Sequence, residues 1–535
     1  AQLVVGRGPV GVGLGQRPKY CRGGVRVTET AAGHSKVQRG DRVLRNNLED
    51  LLRLLAGEAG LGRQELRCVL QRHLQGSGRF RCGRHGGQCK AREPARGCIL
   101  AGMLSLGLLV LSALLGSAGG SGAAPDDRSL AIRCGTLIDG ISDQPRSDVT
   151  VVIASGRIVA ASPQAPVPPK VQVLDLTGYT CLPGLIDMHT HLTMVPDDSL
   201  DYTVYYKRSP AEQTRIFREN ARATLAAGFT TVRDVGAYIA WTDKQLRDDI
   251  NAGLTPGPRM QVAGFFLTIP GGGGDLVVPG VPASEIPAEG HMGVARGPEE
   301  FRRKAELAVA GGADVLKVIA SGAVFGFGGV PGDPEMTQEE IAAVVQVAHR
   351  AGLKVAAHAH GARSIKDAIL AAVDTVEHAS LIDDADIKLA RQRQVPLVMD
   401  VYNGDYTETE GRAKGYPAEF LRKNLETTEA QRLNFTRAHA AGVPIAFGTD
   451  ACIYPHGDNA RQFAIMVQRG MSPMEAIRSA TSVAARYMGW ADRVGSIAPG
   501  RYGDLIAVKN NPLEDVRSLE NVAVVIKGGQ AFKQP

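Results

Sequence analysis

Between Leu182 and Ala451 the chain repeats one pattern eight times: a short apolar run, rich in Val, Ile and Phe, followed by a stretch with helical periodicity. The apolar runs are GLIDMHTHL, FTTVRDVG, RMQVAGFFL, ADVLKVIASG, LKVAAHAHG, DTVEHAS, VPLVMDVY and VPIAFGTDA. Helical stretches such as PEEFRRKAELAVAGG, TQEEIAAVVQVAHRAG and RSIKDAILAAV lie between them, several ending at a Gly suited to a helix C-cap. Eight strand–helix units in about 300 residues predict an α/β chain folded as a (β/α)8 TIM barrel. A doubly wound sheet alternates in the same way, but no GxGxxG follows the first strand.

The polar residues fall where a barrel would use them. His189 and His191 stand two residues apart at the end of the first strand, and because side chains in a strand repeat every two residues, both rings point to one side. Two imidazoles on one face are the first pair of ligands that a divalent transition metal needs. Lys317, His358 with His360, His378 and Asp450 lie at or near the C-terminal ends of strands four, five, six and eight. A barrel gathers those ends on one face, where such enzymes keep their chemistry.

The segments on either side read differently. Ser129–Cys181 and Gly495–Lys533 are short, alternating and punctuated by turns at Ser155-Gly156 and Thr177-Gly178, which predicts a small β-sandwich built from both ends of the ordered chain. The expected domains are residues 125–183 and 489–535 for the two parts of the sandwich and 184–488 for the barrel.

The motifs LPGLIDMHTHL, LKVIASG, AAHAHG, TVEHAS and FGTDA, in that order, resemble the amidohydrolase superfamily, and within it the imidazolonepropionase-like and prolidase-like dipeptidases and carboxypeptidases. The resemblance runs from Ser129 to Lys533. It implies two divalent metal ions, zinc first, with manganese or cobalt also suited to such ligands. His189, His191 and Asp450 would hold the more buried ion, and His358 and His378 the second. Lys317 would bridge them as an Nζ-carboxylated lysine formed with CO2 or bicarbonate, because a free ammonium with a pKa of about 10.4 cannot bind a cation. The ions would bridge a hydroxide by lowering the pKa of bound water toward about 7, and Asp450 would carry its proton to the leaving amine. His360 matches the position that contacts the scissile carbonyl.

Many dipeptidases of the branch that this chain resembles carry a Gly-Gly-His after strand three, whereas here Gly271–Gly274 is followed by Asp275, which removes a candidate carboxylate or carbonyl contact. Tyr402, Tyr406, His456 and Arg461, in the loops after strands seven and eight, are the candidates to hold a substrate carboxylate, Arg461 because its fork fits one. The resemblance implies hydrolysis of a C–N bond in a dipeptide or N-acyl amino acid, a small-molecule substrate, and some such enzymes open amide-linked toxins such as ochratoxin. A one-metal deaminase or cyclic-amide hydrolase of the same superfamily is the rival, but those enzymes place a Glu three residues after the strand-five His, and Gly361 stands there. A relative that keeps the barrel only for assembly would lose its metal ligands, and all six are present.

The first 98 residues hold 19 Lys and Arg against 7 Asp and Glu and five of the eight cysteines, so the chain's net charge of +6 combines a leader of +12 with a remainder of −6. Without aromatic interleaving this leader predicts no nucleic-acid partner, and Cys82, His85 and Cys89 lack a second pair at metal-binding spacing. Arg92 and Arg96 precede an apolar run, Ile99 to Leu115, and then small residues near Ala118 and Ala124. That layout predicts a signal peptide or, uncleaved, an N-terminal anchor over residues 99–124. The first Met is Met103, and the leader, residues 1–98, is expected to be absent from the working protein or disordered. Export implies a periplasmic or secreted protein, with membrane contact only through an uncleaved signal and a homo-oligomer as the expected assembly. Export would also permit a Cys134–Cys181 disulfide, which the sequence leaves open.

Overall fold

The computed structural model describes residues 129–535; the expected leader and signal segments lie outside the described residues. Four strands open the described chain: β1 (Leu130–Leu137), β2 (Arg146–Ala154), β3 (Arg157–Ser162) and β4 (Gln172–Pro183). Eight more follow in the middle: β5 (Leu185–Thr190), β6 (Phe229–Asp234), β7 (Arg259–Val262), β8 (Phe266–Leu267), β9 (Val315–Ile319), β10 (Lys354–Gly361), β11 (Thr375–Leu381) and β12 (Leu397–Val398). The last three are β13 (Leu505–Val508), β14 (Val522–Lys527) and β15 (Gln530–Lys533).

The two β-rich ends do meet, but edge to edge in one seven-stranded sheet of order β15-β14-β13-β4-β1-β2-β3. β4 stitches them together, because it pairs parallel with β1 on one edge and antiparallel with β13 on the other. Ile132, Val151, Leu176, Leu505, Val524 and Ile526 form the core under this sheet. A disulfide between Cys134 and Cys181, 47 residues apart, crosses from β1 to β4. The register slips next to Cys134, where a Cβ on Gly135 would lie 1.9 Å from the Thr177 carbonyl oxygen, so only Gly allows the strands to approach.

The middle strands make two parallel sheets, β5-β6-β7 and β12-β11-β10-β9-β8. The single third strand expected from RMQVAGFFL is broken into β7 and β8 around Gly264, which has φ +81°. A side chain there would collide with the Trp241 ring at 2.6 Å, while the Gly264 N–H donates to Asp243 Oδ2 at 2.8 Å. The expected eighth strand is an extended segment without a continuous ladder. It touches both neighbours, since the Leu397 N–H donates to Pro444 O at 3.0 Å, the Met188 N–H to Phe447 O at 2.9 Å and the Asp450 N–H to His189 O at 2.7 Å. Pro444 has no N–H to give, and Asp450 turns to φ +56°, which interrupts regular pairing.

Helices separate the parallel strands: α1 (Pro210–Ala226), α2 (Thr242–Asn251), α3 (Gly297–Ala310), α4 (Gln338–Arg350), α5 (Ala362–Leu370), α6 (Asp384–Arg393) and, after β12, α7 (Ala418–Ala440). α4 begins at Thr337 with a capping box closed by Glu340 and buries Ile341, Val344, Val345, Val347 and Ala348. Full burial of one such side chain contributes about 1.5–3 kcal/mol. Those residues join Leu316, Val318, Val355, Ala357 and Val376 from the strands in the main core, which holds the strand ends in place. Among the described residues no helix is long and apolar enough to cross a membrane.

Candidate active site

His189, His191, Lys317, His358, His360, His378 and Asp450 all line one cavity at the C-terminal ends of β5, β9, β10 and β11 and of the extended Pro444 segment. Its empty space, including the part open to solvent, is about 910 Å³. Inside it two groups of potential ligand atoms lie within 4.8 Å of one another: His358, His360 and His378, and His189, His378 and Asp450. His378 belongs to both, with ring centroids 4.4 Å from His358 and 4.9 Å from His189.

Each imidazole is aimed by a partner behind it. His189 Nδ1–H donates to Glu377 Oε2 at 3.0 Å, which leaves the Nε2 lone pair facing Asp450 Oδ1 at 3.4 Å. His191 Nδ1–H donates to Gly236 O at 2.7 Å, and its Nε2 lies 3.2 Å from the same Asp450 oxygen. His378 Nδ1–H donates to Asp400 Oδ1 at 2.9 Å, and that carboxylate is itself held by Gln431 Nε2 at 2.8 Å and Asn403 Nδ2 at 2.6 Å. His360 Nδ1 meets Ser380 Oγ at 2.9 Å, and His358 Nε2 meets Gly322 O at 3.3 Å.

Burial, and then neighbouring positive groups, pushes His189, His358 and His360 well below the usual imidazole pKa, so all three are neutral and carry a free lone pair. For His378 burial works in the same direction, but the Asp400 carboxylate outweighs it and raises the pKa. The reverse holds for Asp400, where His378 overcomes burial and lowers the carboxyl to about 2. Lys317 is 1% exposed and its Nζ has no hydrogen-bond partner; burial lowers its pKa to about 8. A buried ammonium without an acceptor is costly. Converging imidazoles, the Asp450 carboxylate and an unpaired lysine amine are a donor set that fits divalent transition metals.

The backbone is strained at the site. His378, Ala379 and Asp450 have φ of +67°, +48° and +56°, at a cost of about 1–3 kcal/mol each. The turn at His378 breaks strand alternation, so Glu377 and His378 both reach His189. Glu377 therefore escapes a reading based on a period of two. Its Oε1 accepts from Arg233 Nη2 at 2.9 Å and from Thr375 Oγ1, and Arg233 Nε in turn donates to Met188 O at 2.7 Å. The signal in the sequence was a charged residue inside each of two apolar strands, Arg233 and Glu377. Asp400 could have been found as a carboxylate at the end of strand seven.

The other four expected residues do not line the cavity. Tyr402 and Tyr406 pack against Tyr454 with centroids at 4.8 and 6.5 Å. Arg461 donates from Nη1 to the Tyr402 hydroxyl at 3.1 Å and leaves its side chain 52% exposed. His456 Nε2–H donates to Met194 O at 3.0 Å, tying two loops together. Tyr402, Tyr406 and Arg461 are engaged within the loops that follow β12 and Asp450, whereas His456 is buried against the loop after β5 with its Nδ1 unpartnered.

Known proteins resemble this chain over most of its described length. The profile described as "Amidohydrolase family" matches residues 180–532. An ochratoxinase from Aspergillus niger is 31% identical over 437 residues, covering 77% of this chain and 88% of the relative. Among solved structures, a Xaa-Pro dipeptidase with methionine bound in its active site superposes with a TM-score of 0.70 at 35% identity, over 76% of this chain and 100% of that one. A prolidase in complex with N-methylphosphonate-L-proline gives a TM-score of 0.70 at 28% identity over the same shares. The fold held in common is α/β and TIM-barrel-like.

Proposed function

Since the chain belongs to the amidohydrolase family and is a metal-dependent hydrolase of carbon–nitrogen bonds, we propose that it is a two-metal dipeptidase or carboxypeptidase acting on dipeptides or N-acyl amino acids. The observation that carries this reading is the convergence of five histidines, Asp450 and an unpartnered buried Lys317 on one cavity. We read the two parallel sheets and the Pro444–Asp450 segment as an eight-stranded barrel, supported by the hydrogen bonds of that segment to β12 and β5, and the seven-stranded sheet as a sandwich wrapped on its core. An exported location is supported by the Cys134–Cys181 disulfide.

In this reading His189, His191 and Asp450 would hold one zinc ion and His358 and His378 a second, and Lys317, once carboxylated, would supply the shared anionic ligand. The ions, when bound, acidify water and polarise the scissile carbonyl. Asp450 is the proton carrier: it is the carboxylate between His189 and His191, and its side chain keeps 15% of its surface open toward the cavity. It takes a proton from the attacking water and hands it to the leaving amine. His360, fixed by Ser380, orients the carbonyl oxygen. Asp400 and Gln431 hold His378, and Glu377 with Arg233 holds His189.

The test is a library of dipeptides and N-acyl amino acids offered to the zinc-loaded protein, with metal counted per chain. Two equivalents of metal and amide cleavage are expected. His360→Asn should keep both equivalents and lose about 10²-fold in turnover. One equivalent of metal, or metal lost from the His360 variant, would overturn the assignment.

A further inference from the structure

The cavity has two unlike walls. On one side Tyr202, Tyr205, Tyr238, Phe266 and Phe325 form a continuous aromatic face beginning at His191, whose ring lies 5.6 Å from Phe266. From there the centroids step 5.4 Å to Tyr238, 4.9 Å to Tyr205 and 5.5 Å to Tyr202. The hydroxyls of Tyr202 and Tyr238 are spent on Phe325 O, at 3.0 and 3.3 Å, so these residues present ring rather than hydroxyl. On the other side Asn424, Thr427, Thr428 and Gln431 from α7 supply neutral polar groups, and Asp400 and Asp450 supply negative charge.

Among the described residues Lys317 is the single Lys or Arg that lines this cavity. Lys423, on the buried face of α7, donates from Nζ to Gly326 O and Glu419 Oε1, both at 2.7 Å. Arg208 is paired with Asp198, and Arg461 points away with its side chain half exposed. A carboxylate far from the scissile bond would meet aromatic rings and the neutral polar groups of α7, with no cation to pair it. Desolvating it there without a partner is unfavourable, whereas a large aromatic group gains the whole face.

We infer that this site selects its substrate by a bulky aromatic or branched apolar group and not by a terminal carboxylate, so that carboxyl-capped amides are hydrolysed alongside the free acids. The inference rests on the amide-hydrolase reading above, deepening it to a substrate class.

The test compares benzyloxycarbonyl-Phe-Phe with its C-terminal carboxamide, and each with the acetyl-Ala-Ala counterpart, on the zinc-loaded protein. Cleavage is followed by chromatography and binding by calorimetry. Expected are kcat/KM and Kd values for the capped compound within about threefold of the free acid, and at least a tenfold preference for the aromatic pair. Tyr205→Ala should raise KM for the aromatic pair at least tenfold, with Tyr205→Phe restoring it. A tenfold or greater loss on capping, or no aromatic preference, overturns the inference. If nothing is cleaved but the binding pattern holds, the hydrolytic reading fails and the recognition inference stands.

Discussion

Replacing Glu377 by Gln tests whether the buried pair behind the histidines governs metal binding. Glu377 and Arg233 are both 0% exposed, and the Arg233 guanidinium has no other carboxylate partner among the described residues; its Nη1 has no acceptor at all. Removing the carboxylate leaves a buried cation without compensation, a loss of about 3–5 kcal/mol in the metal-free protein. The second effect is on tautomer. Gln can still accept from Arg233 through Oε1, but its amide nitrogen then faces His189 Nδ1–H, donor against donor. His189 relieves this by moving its proton to Nε2, the nitrogen that faces Asp450, and so loses the lone pair a metal needs. Loss of such an outer partner typically costs 10–100-fold in metal affinity. Chemical denaturation of the metal-free variant and competition with a zinc chelator read the two effects separately. The double variant Glu377→Gln/Arg233→Met should recover stability, because neither position then carries an uncompensated charge, while zinc affinity stays low. A single variant with stability within about 1 kcal/mol of wild type and unchanged zinc affinity would refute the reasoning.

Growth in 13C-bicarbonate should give a carbamate carbonyl signal in the NMR spectrum that Lys317→Arg lacks, together with loss of metal and turnover in that variant; an identical spectrum would exclude carboxylated Lys317. Cys134→Ser/Cys181→Ser opens a 47-residue loop between β1 and β4, and the chain-entropy relation puts the loss at about 4 kcal/mol, read as a lower denaturation midpoint under oxidising conditions and none under reducing ones. Glu335 gives a pH dependence of defined sign. Burial, only partly offset by hydrogen bonds from the Gly273 N–H at 2.9 and 3.2 Å, raises its pKa from 4.5 to about 7. The folded state therefore binds the proton more tightly than the unfolded one, and this group's contribution is full below pH 4.5 and lost as pH rises through about 7. Glu335→Gln should be more stable than wild type at pH 8 and lose that part of the slope between pH 5 and 8; an unchanged slope would exclude Glu335 as its source.

The alternation of strand and helix was legible because it is set by local periodicity, and seven of the eight expected runs contain strand. Periodicity fails where single residues override it. Gly264 splits one expected strand into β7 and β8 because the Trp241 ring occupies the space of a Cβ, a contact between residues 23 positions apart that no window on the sequence reveals. Pro444 and the left-handed Asp450 dissolve the eighth strand's ladder even though its apolar run is as strong as the others. The joining of both chain ends into one sheet depends on which edge of β4 each half takes, and that is a tertiary choice.

At the site, the residues legible in the sequence are those on strand ends, where the fold dictates position without loop geometry. The loop residues Tyr402, Tyr406, His456 and Arg461 were chosen by chemical type alone, and type does not say which way a loop turns. Arg461 shows the consequence: its fork suits a carboxylate, yet it meets the Tyr402 hydroxyl and Asp458 and faces solvent. The residues that support the histidines were hidden for the opposite reason. Glu377 and Asp400 carry charge inside apolar surroundings, a placement that is expensive unless something compensates it. The compensation is His189 with Arg233 in one case and His378 with Gln431 in the other. A charged residue within a buried strand is therefore the sequence mark of a supporting group, and in this chain following Arg233 and Glu377 leads to His189.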